Sequence, residues 1–174
     1  WSVNSELNYL FSRRSVRAYQ AKDVPESMIR DLLEAAMAAP SARAKDPWDF
    51  VIVRDRATLT ALTDGLPHGT MLADAAVGIV VCGDLQRAHD GQLSYLLQDC
   101  SAAIENILLA TNSLGLGACW LGVHPREERI AHVRSTLQIP DSVIPVSAIS
   151  VGWPAESPLP RTRYHDRAVH YETW

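Results

Sequence analysis

A long apolar segment in the second half of the chain constrains the fold more than any other feature. From Leu93 to Thr111 the apolar residues recur with a period close to 3.6 for about five turns, which predicts an α-helix. Gly115 and Gly117 follow it and supply the stop signal. Because this helix is apolar on almost every side, we expect it to be the most buried one, with the rest of the chain packed around it.

The other patterns alternate between helices and short strands. Helical spacing predicts a short helix after Asn4 and Ser5, one from Pro25 to Ala39, one capped by Asp55, and one over residues 125–137. β-Rich runs predict strands over residues 50–53, 75–81, 118–121 and 143–151. The second strand is continuously apolar and is expected to be central. About four strands and five helices indicate an α+β fold with one sheet covered by helices.

Length and charge exclude several classes of protein. A chain of 174 residues can form one core, and it contains no linker or internal repeat, so we expect a single domain over residues 1–174. The net charge of -4 argues against a surface built for nucleic acid. Its apolar runs fall far short of the roughly 20 residues that cross a membrane, and no signal segment opens the chain. Three dispersed cysteines favour a cytoplasmic location over a disulfide framework.

The C-terminal segment, from about residue 153 to 174, differs from the rest of the chain. Pro154, Pro158 and Pro160 are followed by Arg161 and Arg163, a composition that predicts an extended arm without a core of its own. Such an arm must pack on another surface. The buried central helix and the unsupported arm are both explained if two copies of the chain pack together and exchange arms.

A basic group near the N-terminus could bind an anion. Arg13, Arg14 and Arg17 surround Ser15 in a segment that we interpret as a polar turn, and they offer the guanidinium and hydroxyl donors that a phosphate accepts. The arginines of the C-terminal arm could close over the same anion. The alternative for both groups is solvated surface charge.

Other motifs narrow the chemistry. The loop between Ala39 and Trp48 leaves main-chain donors and room for a planar ligand, with Trp48 as a packing anchor. The Gly115–Trp120 segment is not a dinucleotide loop, because it follows a helix instead of a strand. Close approach of the main chain to a ligand is expected at Gly122 and Val123 instead. Without metal-ligand spacing among the histidines, a nucleophile elbow or a Walker loop, hydrolases lose support.

Five segments resemble, in their order, the FMN-dependent nitroreductase family. They are Arg13-Arg14-Ser15-Val16-Arg17-x-Tyr19, the helix between Val24-Pro25-Glu26 and Ala39-Pro40-Ser41, Pro47-Trp48-Asp49-Phe50-Val51, Gly115-Leu116-Gly117-Ala118-Cys119-Trp120, and Val151-Gly152-Trp153-Pro154 with the arginine arm. The likeness runs from about Leu7 to the C-terminus. It implies a nitroreductase-like fold with a mostly antiparallel sheet, and a homodimer that exchanges its arms and binds FMN between the subunits.

The resemblance also implies three sets of site residues. The first holds the phosphate and the ribityl chain and consists of Arg13, Arg14, Ser15, Arg161 and Arg163. The second surrounds the flavin ring and consists of Arg17 near the pyrimidine edge, Gly122 with its backbone at N5, and the neighbouring Leu121 and Val123. The third reaches the flavin from the partner subunit and consists of Pro40, Ser41, Ala42 and Ala44.

The activity that the resemblance implies is a ping-pong oxidoreduction. NAD(P)H reduces FMN and leaves, and a nitroaromatic, quinone or similar small molecule takes its place. The implied catalytic groups are Arg17, a cation that favours the reduced flavin, and the Gly122 backbone, which orients the atom that exchanges hydride. Ala44 and Asp46 stand where the family commonly has Asn and Gln, and the short Asp84–Ser94 stretch leaves little room for a lid, so loose specificity is expected.

Two other functions stay open. A reductive dehalogenase or a flavin-fragmenting enzyme could share the fold, although no residues suited to gripping such substrates are identifiable. A flavin-binding or sensing protein with weak turnover is the other alternative, because Ala44 and Asp46 depart from the family pattern.

Overall fold

The computed structural model of the protein describes residues 4–174. Over these residues the chain forms five α-helices and four β-strands, which confirms the predicted α+β class. The helices are α1 (Asn8–Ser12), α2 (Glu26–Met37), α3 (Arg56–Asp64), α4 (Leu93–Ser113) and α5 (Glu127–Leu137). The strands are β1 (Trp48–Val53), β2 (Val77–Asp84), β3 (Gly117–Gly122) and β4 (Val143–Gly152).

The four strands form one sheet in the order β1-β2-β4-β3, and each neighbouring pair is antiparallel. As predicted, β2 is central. Ile79 and Val81 pack on one face of the sheet in a cluster with α2 and α4, while Val80 and Cys82 pack on the other face with α3 and α5. Burial on both faces explains why the sequence of β2 is continuously apolar and does not alternate.

Helix α4 contributes more buried side chains than any other helix over the described residues, as the apolar pattern predicts. Leu96, Ile104 and Ile107 are fully buried. Helix α2 packs along α4, and both cover the same face of the sheet. The two helices therefore form the layer on which the first core cluster depends.

Two local predictions are confirmed in atomic detail. The side chain of Asp55 accepts a hydrogen bond from Thr58 N at 2.8 Å and so caps α3. In β4, Pro145 pairs with Cys82 where the ladder with β2 shifts register. Because proline has no N–H to donate, such an irregularity is where a paired strand tolerates it.

The segment after α1 is not a polar turn, so that prediction is wrong. Ser15 forms a parallel bridge with Ala118, and Val16 is 7% exposed. The side chain of Val16 covers Gly117, where a Cβ atom would lie 2.7 Å from Val16 Cγ1. A single buried valine among arginines therefore docks this segment, in extended form, against β3.

The C-terminal arm is extended, as predicted, apart from a short 3-10 turn at Asp166–Ala168. Every residue from 159 to 174 is exposed. The arm starts along its own chain, where Ala155 N donates to Ala18 O at 2.8 Å and Arg161 N donates to Phe11 O at 3.1 Å. Among the described helices, none combines the length and the apolarity needed to cross a membrane.

Candidate functional site

The free edge of β3 is the structural basis of the candidate site. β3 is the last strand of the sheet, so only one of its edges pairs with β4. On the other edge, Val16 N donates to Ala118 O at 2.9 Å. Because the main-chain groups of a strand point to its two edges alternately, those of Trp120 and Gly122 face the same side as those of Ala118. Trp120 and Gly122 are exposed, so the edge is open beyond Ala118.

Gly122 lies at the open end of this edge. A Cβ atom built on Gly122 would meet no atom within 4 Å, in contrast to Gly117 at the other end of the strand. The Gly122 carbonyl accepts a hydrogen bond from Arg129 Nη1 at 2.9 Å. The strand therefore ends in an anchored main-chain segment beside unfilled space, which is what close approach of a ligand to the backbone requires.

A cavity of about 160 Å³ lies along the same edge. Its lining residues are Arg17, Leu66, His68, Gly69, Cys119, Trp120, Leu121, Gly122 and Arg129. Two of them are arginines and none is Asp or Glu. Apolar walls with a few cationic and main-chain donors suit a flat ligand that carries carbonyl or anionic groups.

Arg17 is held in this cavity through its main chain. The Glu156 carboxylate accepts hydrogen bonds from Arg17 N at 2.5 Å and from Ala18 N at 3.3 Å. Glu156 belongs to the start of the C-terminal arm, so the arm and the N-terminal segment position each other. Because the main chain of Arg17 makes these bonds, its guanidinium is available to a ligand.

Two ionisable groups next to the cavity are kept neutral by their surroundings. The Tyr19 hydroxyl lies 2.7 Å from both Val16 O and Ser150 Oγ, and burial raises its pKa far above the ordinary value. Burial likewise raises the pKa of the Cys119 thiol. At neutral pH Tyr19 is therefore a structural hydrogen-bonding group, and Cys119 is a protonated packing group instead of a nucleophile.

A second cavity, of about 210 Å³, contains the other N-terminal arginines. Arg13 and Arg14 line it together with residues at the end of α4. The start of the arm also lines it, with Pro154, Glu156, Ser157 and Pro158. Arg13 Nε lies 3.8 Å from a carboxylate oxygen of Glu105, and Arg14 donates to Leu159 O. Glu156 also lines this cavity, so the positive charge there is partly balanced by carboxylates.

The loop before β1 lies away from both cavities. Ala42 N donates to Asp99 Oδ1 at 2.9 Å, and Asp46 N donates to Ser41 Oγ at 3.0 Å. Asp46 also accepts from the Ser41 hydroxyl, so its carboxylate is engaged within the loop. Ala44 has a φ of 53°, a left-handed conformation that is uncommon for a residue with a side chain. None of the loop residues 40–46 lines either cavity.

The structure brings some of the expected site residues together within one chain and separates others. Arg17, Leu121 and Gly122 share the cavity at the β3 edge, and Arg13 and Arg14 share the second cavity.

The remaining expected residues line neither of these cavities. Ser15 is at the bridge to Ala118, and Val123 is fully buried with its N–H on Val146 O. Arg161 and Arg163 are exposed on the arm. Pro40, Ser41, Ala42 and Ala44 stay on the separate loop.

Four functional candidates escape the sequence analysis. His68 and Gly69 lie in the loop after α3, and Arg129 lies in the first turn of α5. Glu156 had no signal beyond its position in a proline-rich segment. For Arg129, one signal was available in the sequence. It lies seven residues after Gly122, at the start of the helix that follows Pro125, and a side chain in that position can reach back to the preceding strand.

Comparison with known proteins gives concordant matches. The sequence matches the Nitroreductase family over residues 10–66 and 58–153. A protein of Methanothermobacter thermautotrophicus with the provisional name NADH dehydrogenase/NAD(P)H nitroreductase is 44% identical over 168 residues, which cover 97% of this chain and 87% of that protein.

Solved structures give the same result. A provisionally named NADH dehydrogenase/NAD(P)H nitroreductase from Parabacteroides distasonis has a TM-score of 0.92 and 40% identity, covering 99% of this chain and 100% of that one. An FMN-dependent nitroreductase from Clostridium difficile has a TM-score of 0.87 and 27% identity, covering 97% of this chain and 99% of that one. The likeness extends over almost the whole length of both chains.

Proposed function

This chain belongs to the nitroreductase family, and we propose that it is an FMN-dependent NAD(P)H oxidoreductase that reduces nitroaromatics, quinones and similar electron-poor small molecules. The observation that carries the proposal is the open end of β3, where Gly122 offers a main-chain edge and free space beside two arginines. The names of the relatives supply the cofactor and the donor: one is an FMN-dependent nitroreductase, and another is named for NAD(P)H.

The residues along the β3 edge fit a flavin ring. The outward-facing N–H of Gly122 is a donor suited to flavin N5, and the Arg17 guanidinium is a cation suited to the pyrimidine carbonyls. Bound FMN would supply the redox chemistry, taking a hydride from NAD(P)H and then passing electrons to the acceptor, so that the two substrates use the site in turn. Leu66 and Leu121 provide an apolar wall that excludes water from one side.

We assign the phosphate end of the cofactor to the second cavity. Arg13 and Arg14 line it, and Ser15 follows them directly. Arg161 N bonds to Phe11 O, which brings the arm that carries Arg161 and Arg163 beside the same segment. The proximity of Glu105 to Arg13 makes Arg13 the weaker phosphate ligand, because one of its donors already faces a carboxylate.

The other half of the site is proposed to come from a second copy of the chain. Large apolar side chains are exposed on α1, on α2, at the start of α4 and on the arm, among them Leu10, Met37, Leu93 and Trp174. A homodimer that covers these residues would also give the Pro40–Ala44 loop a flavin to contact. Light scattering of the flavin-loaded protein at micromolar concentration should give the mass of a dimer, and a flavin-loaded monomer would contradict this assignment.

The proposed compartment is a reducing one such as the cytoplasm. Cys82, Cys100 and Cys119 are all free and buried. Burial raises the pKa of the Cys82 and Cys100 thiols to about 12. All three are therefore protonated packing groups, a use of cysteine that is usual where thiols stay reduced.

An anaerobic titration tests the proposed activity. The protein, loaded with FMN and freed of excess, should lose its yellow colour when NADH or NADPH is added and regain it with a nitroaromatic or a quinone. Retained flavin that neither nicotinamide bleaches would instead identify a flavin-binding protein without this activity. Failure to retain FMN at all would overturn the assignment of the β3 edge.

A further inference from the structure

Arg129 is a cation of the β3-edge cavity that the proposed flavin contacts leave unused. It lies on α5, and its Nη1 reaches back to the carbonyl of Gly122 at 2.9 Å. Apart from this bond, the Nη nitrogens of Arg129 make no hydrogen bond with the described residues. Because Arg129 also lines the cavity, these remaining donors are available to an acceptor group on a ligand.

The positive charge of Arg129 is also unbalanced within the described part of the chain. Its helix neighbours Glu127 and Glu128 are two residues and one residue away, and residues at such spacings do not share a helix face. On the same helix, Arg134 has a carboxylate partner, Asp141, at 3.9 Å. No ion pair of this kind forms at Arg129 over residues 4–174, and none of the residues that line the cavity is acidic.

Arg17 and Arg129 meet the open edge at different points. Arg17 follows the segment that bonds to Ala118, near the start of β3, whereas Arg129 bonds to Gly122 at its end. At about 3.3 Å per residue, Ala118 and Gly122 are roughly 13 Å apart along the strand. The proposed flavin contacts use Arg17 and the Gly122 N–H, so the Arg129 guanidinium has no assigned partner and is left for another ligand.

From these observations we infer that Arg129 binds an acidic group of the acceptor, so that the preferred acceptors are aromatic carboxylates and comparable aromatic acids. This inference rests on the proposed function. Trp120, which the proposed flavin contacts leave unused, supplies an apolar contact for the ring, and the Arg129 guanidinium supplies donors that a carboxylate accepts.

The reaction leaves the acidic group unchanged. A nitroaromatic acid takes up two electrons and two protons, loses one oxygen as water and becomes the nitroso acid. NAD(P)H is oxidised to NAD(P)⁺ and supplies a hydride, which accounts for both electrons and one proton. The second proton comes from solvent.

Steady-state kinetics with a matched pair of acceptors tests the inference. The holoenzyme is assayed with 4-nitrobenzoate and with its methyl ester, which differ in charge but hardly in shape. We expect the KM of the acid to be about tenfold lower than that of the ester, as befits one charge-assisted contact. Arg129→Gln should remove the difference in KM between the acid and the ester, and Arg129→Lys should keep part of it. Loss of the bond to Gly122 O would lower kcat for both acceptors alike, so the ratio of the two KM values is the readout. Arg126→Gln, an exposed arginine just before the same helix, is the control.

A binding measurement decides the question without turnover. Benzoate and benzamide are titrated into the oxidised holoprotein while the flavin absorption is followed, and benzoate should bind more tightly to the native protein but not to Arg129→Gln. Equal affinity of the two compounds in the native protein, or an unchanged preference in the variant, overturns the inference. So does a variant that changes only the KM of NAD(P)H, because the anion would then belong to the donor. Failure of the proposed function is distinct, since NAD(P)H would then not bleach the flavin before any acceptor is added.

Discussion

The β3 edge and the C-terminal arm are expected to meet the same cofactor, but their own chain supports them very differently. At the edge, Glu156 holds the main chain of Arg17 and Arg129 holds that of Gly122. On the arm, Leu159 is 80% exposed and Trp174 is 99% exposed. The main chain of the edge is therefore held by contacts within one copy of the chain, one of them from the start of the arm, whereas residues 159–174 of the arm are exposed on that copy.

The largest expected effect tests whether the edge is a binding surface and not a folding element. Gly122→Val places a branched side chain in space where a Cβ atom meets nothing within 4 Å, so the apoprotein should unfold at the parental temperature. FMN affinity should fall by at least about 100-fold, because the side chain blocks close approach to the main chain. Flavin fluorescence and thermal unfolding measure the two effects.

Gly117→Ala is the matched control on the same strand. Its Cβ atom would lie 2.7 Å from Val16 Cγ1 and 2.8 Å from Val16 Cβ, so the docked segment must shift. We expect a loss of about 1–3 kcal/mol in the free energy of unfolding, as for other overpacked sites. If Gly122→Val proves as destabilising as Gly117→Ala while holding FMN normally, the edge is structural and the comparison fails.

The next effect concerns the arm. Arg163→Ala should weaken FMN binding by about 1.5–3 kcal/mol, the range for a lost charge-assisted hydrogen bond. Because the whole segment from 159 to 174 is exposed, unfolding of the apoprotein should not change. Arg167→Ala, an exposed arginine on the same arm, is the control. Unchanged FMN affinity, measured by equilibrium titration, would remove Arg163 from the phosphate site.

A smaller effect is expected where arm and edge meet. Glu156→Gln keeps the shape of the side chain but removes the charge that strengthens its hydrogen bonds to Arg17 N and Ala18 N. We expect FMN affinity to fall about three- to tenfold, equivalent to about 0.7–1.4 kcal/mol, since the position of Arg17 becomes less well defined. Glu128→Gln, exposed on α5, should have no effect. If Glu156→Gln binds FMN as tightly as the parent, Arg17 needs no support from the arm.

The smallest expected effect is on the acid stability of the N-terminus of α3, which lies outside both the β3 edge and the arm and should not depend on FMN. The side-chain hydrogen bond from Thr58, followed by the backbone one, lowers the pKa of Asp55 in the folded protein. Its contribution to stability is therefore complete above the ordinary carboxyl pKa and disappears as the pH falls through the lowered value. Asp55→Asn should flatten this part of the acid-unfolding curve, equally with and without FMN. If the stability of the parent and of the variant falls equally steeply as the pH is lowered, Asp55 does not contribute to acid unfolding in this way.

Much of the fold was predictable because its signals are local. The apolar period of α4, the Asp55 cap and the place of Pro145 all lie within a few residues of the structure that they produce. The polar turn predicted over Arg13–Arg17 was wrong because the charged residues outnumber Val16, the one side chain that decides how the segment docks. A prediction from local composition counts every residue of the segment equally, whereas its packing in the folded protein depends on the one side chain that is buried.

The site was predictable only in part, for the same reason. Family resemblance pointed to Arg17, Leu121 and Gly122, which line one cavity, but not to His68 or Arg129, which line it too. His68 comes from a loop whose sequence does not mark it, and the one signal for Arg129 is its place at a helix start seven residues after Gly122. Their proximity to Gly122 depends on how α5 and the loop after α3 pack against the sheet.

The sequence alone determined the helices and most of the strands, because the periods of 3.6 and two residues and the signals at their ends act within short segments. Only the tertiary structure decided that β3 would be an edge strand, that Gly122 would turn its main-chain groups outward, and that two arginines would lie along that edge. Strand order and side-chain proximity depend on contacts between residues far apart in the chain. Such contacts form only when the whole core is buried at once, so no short segment can specify them.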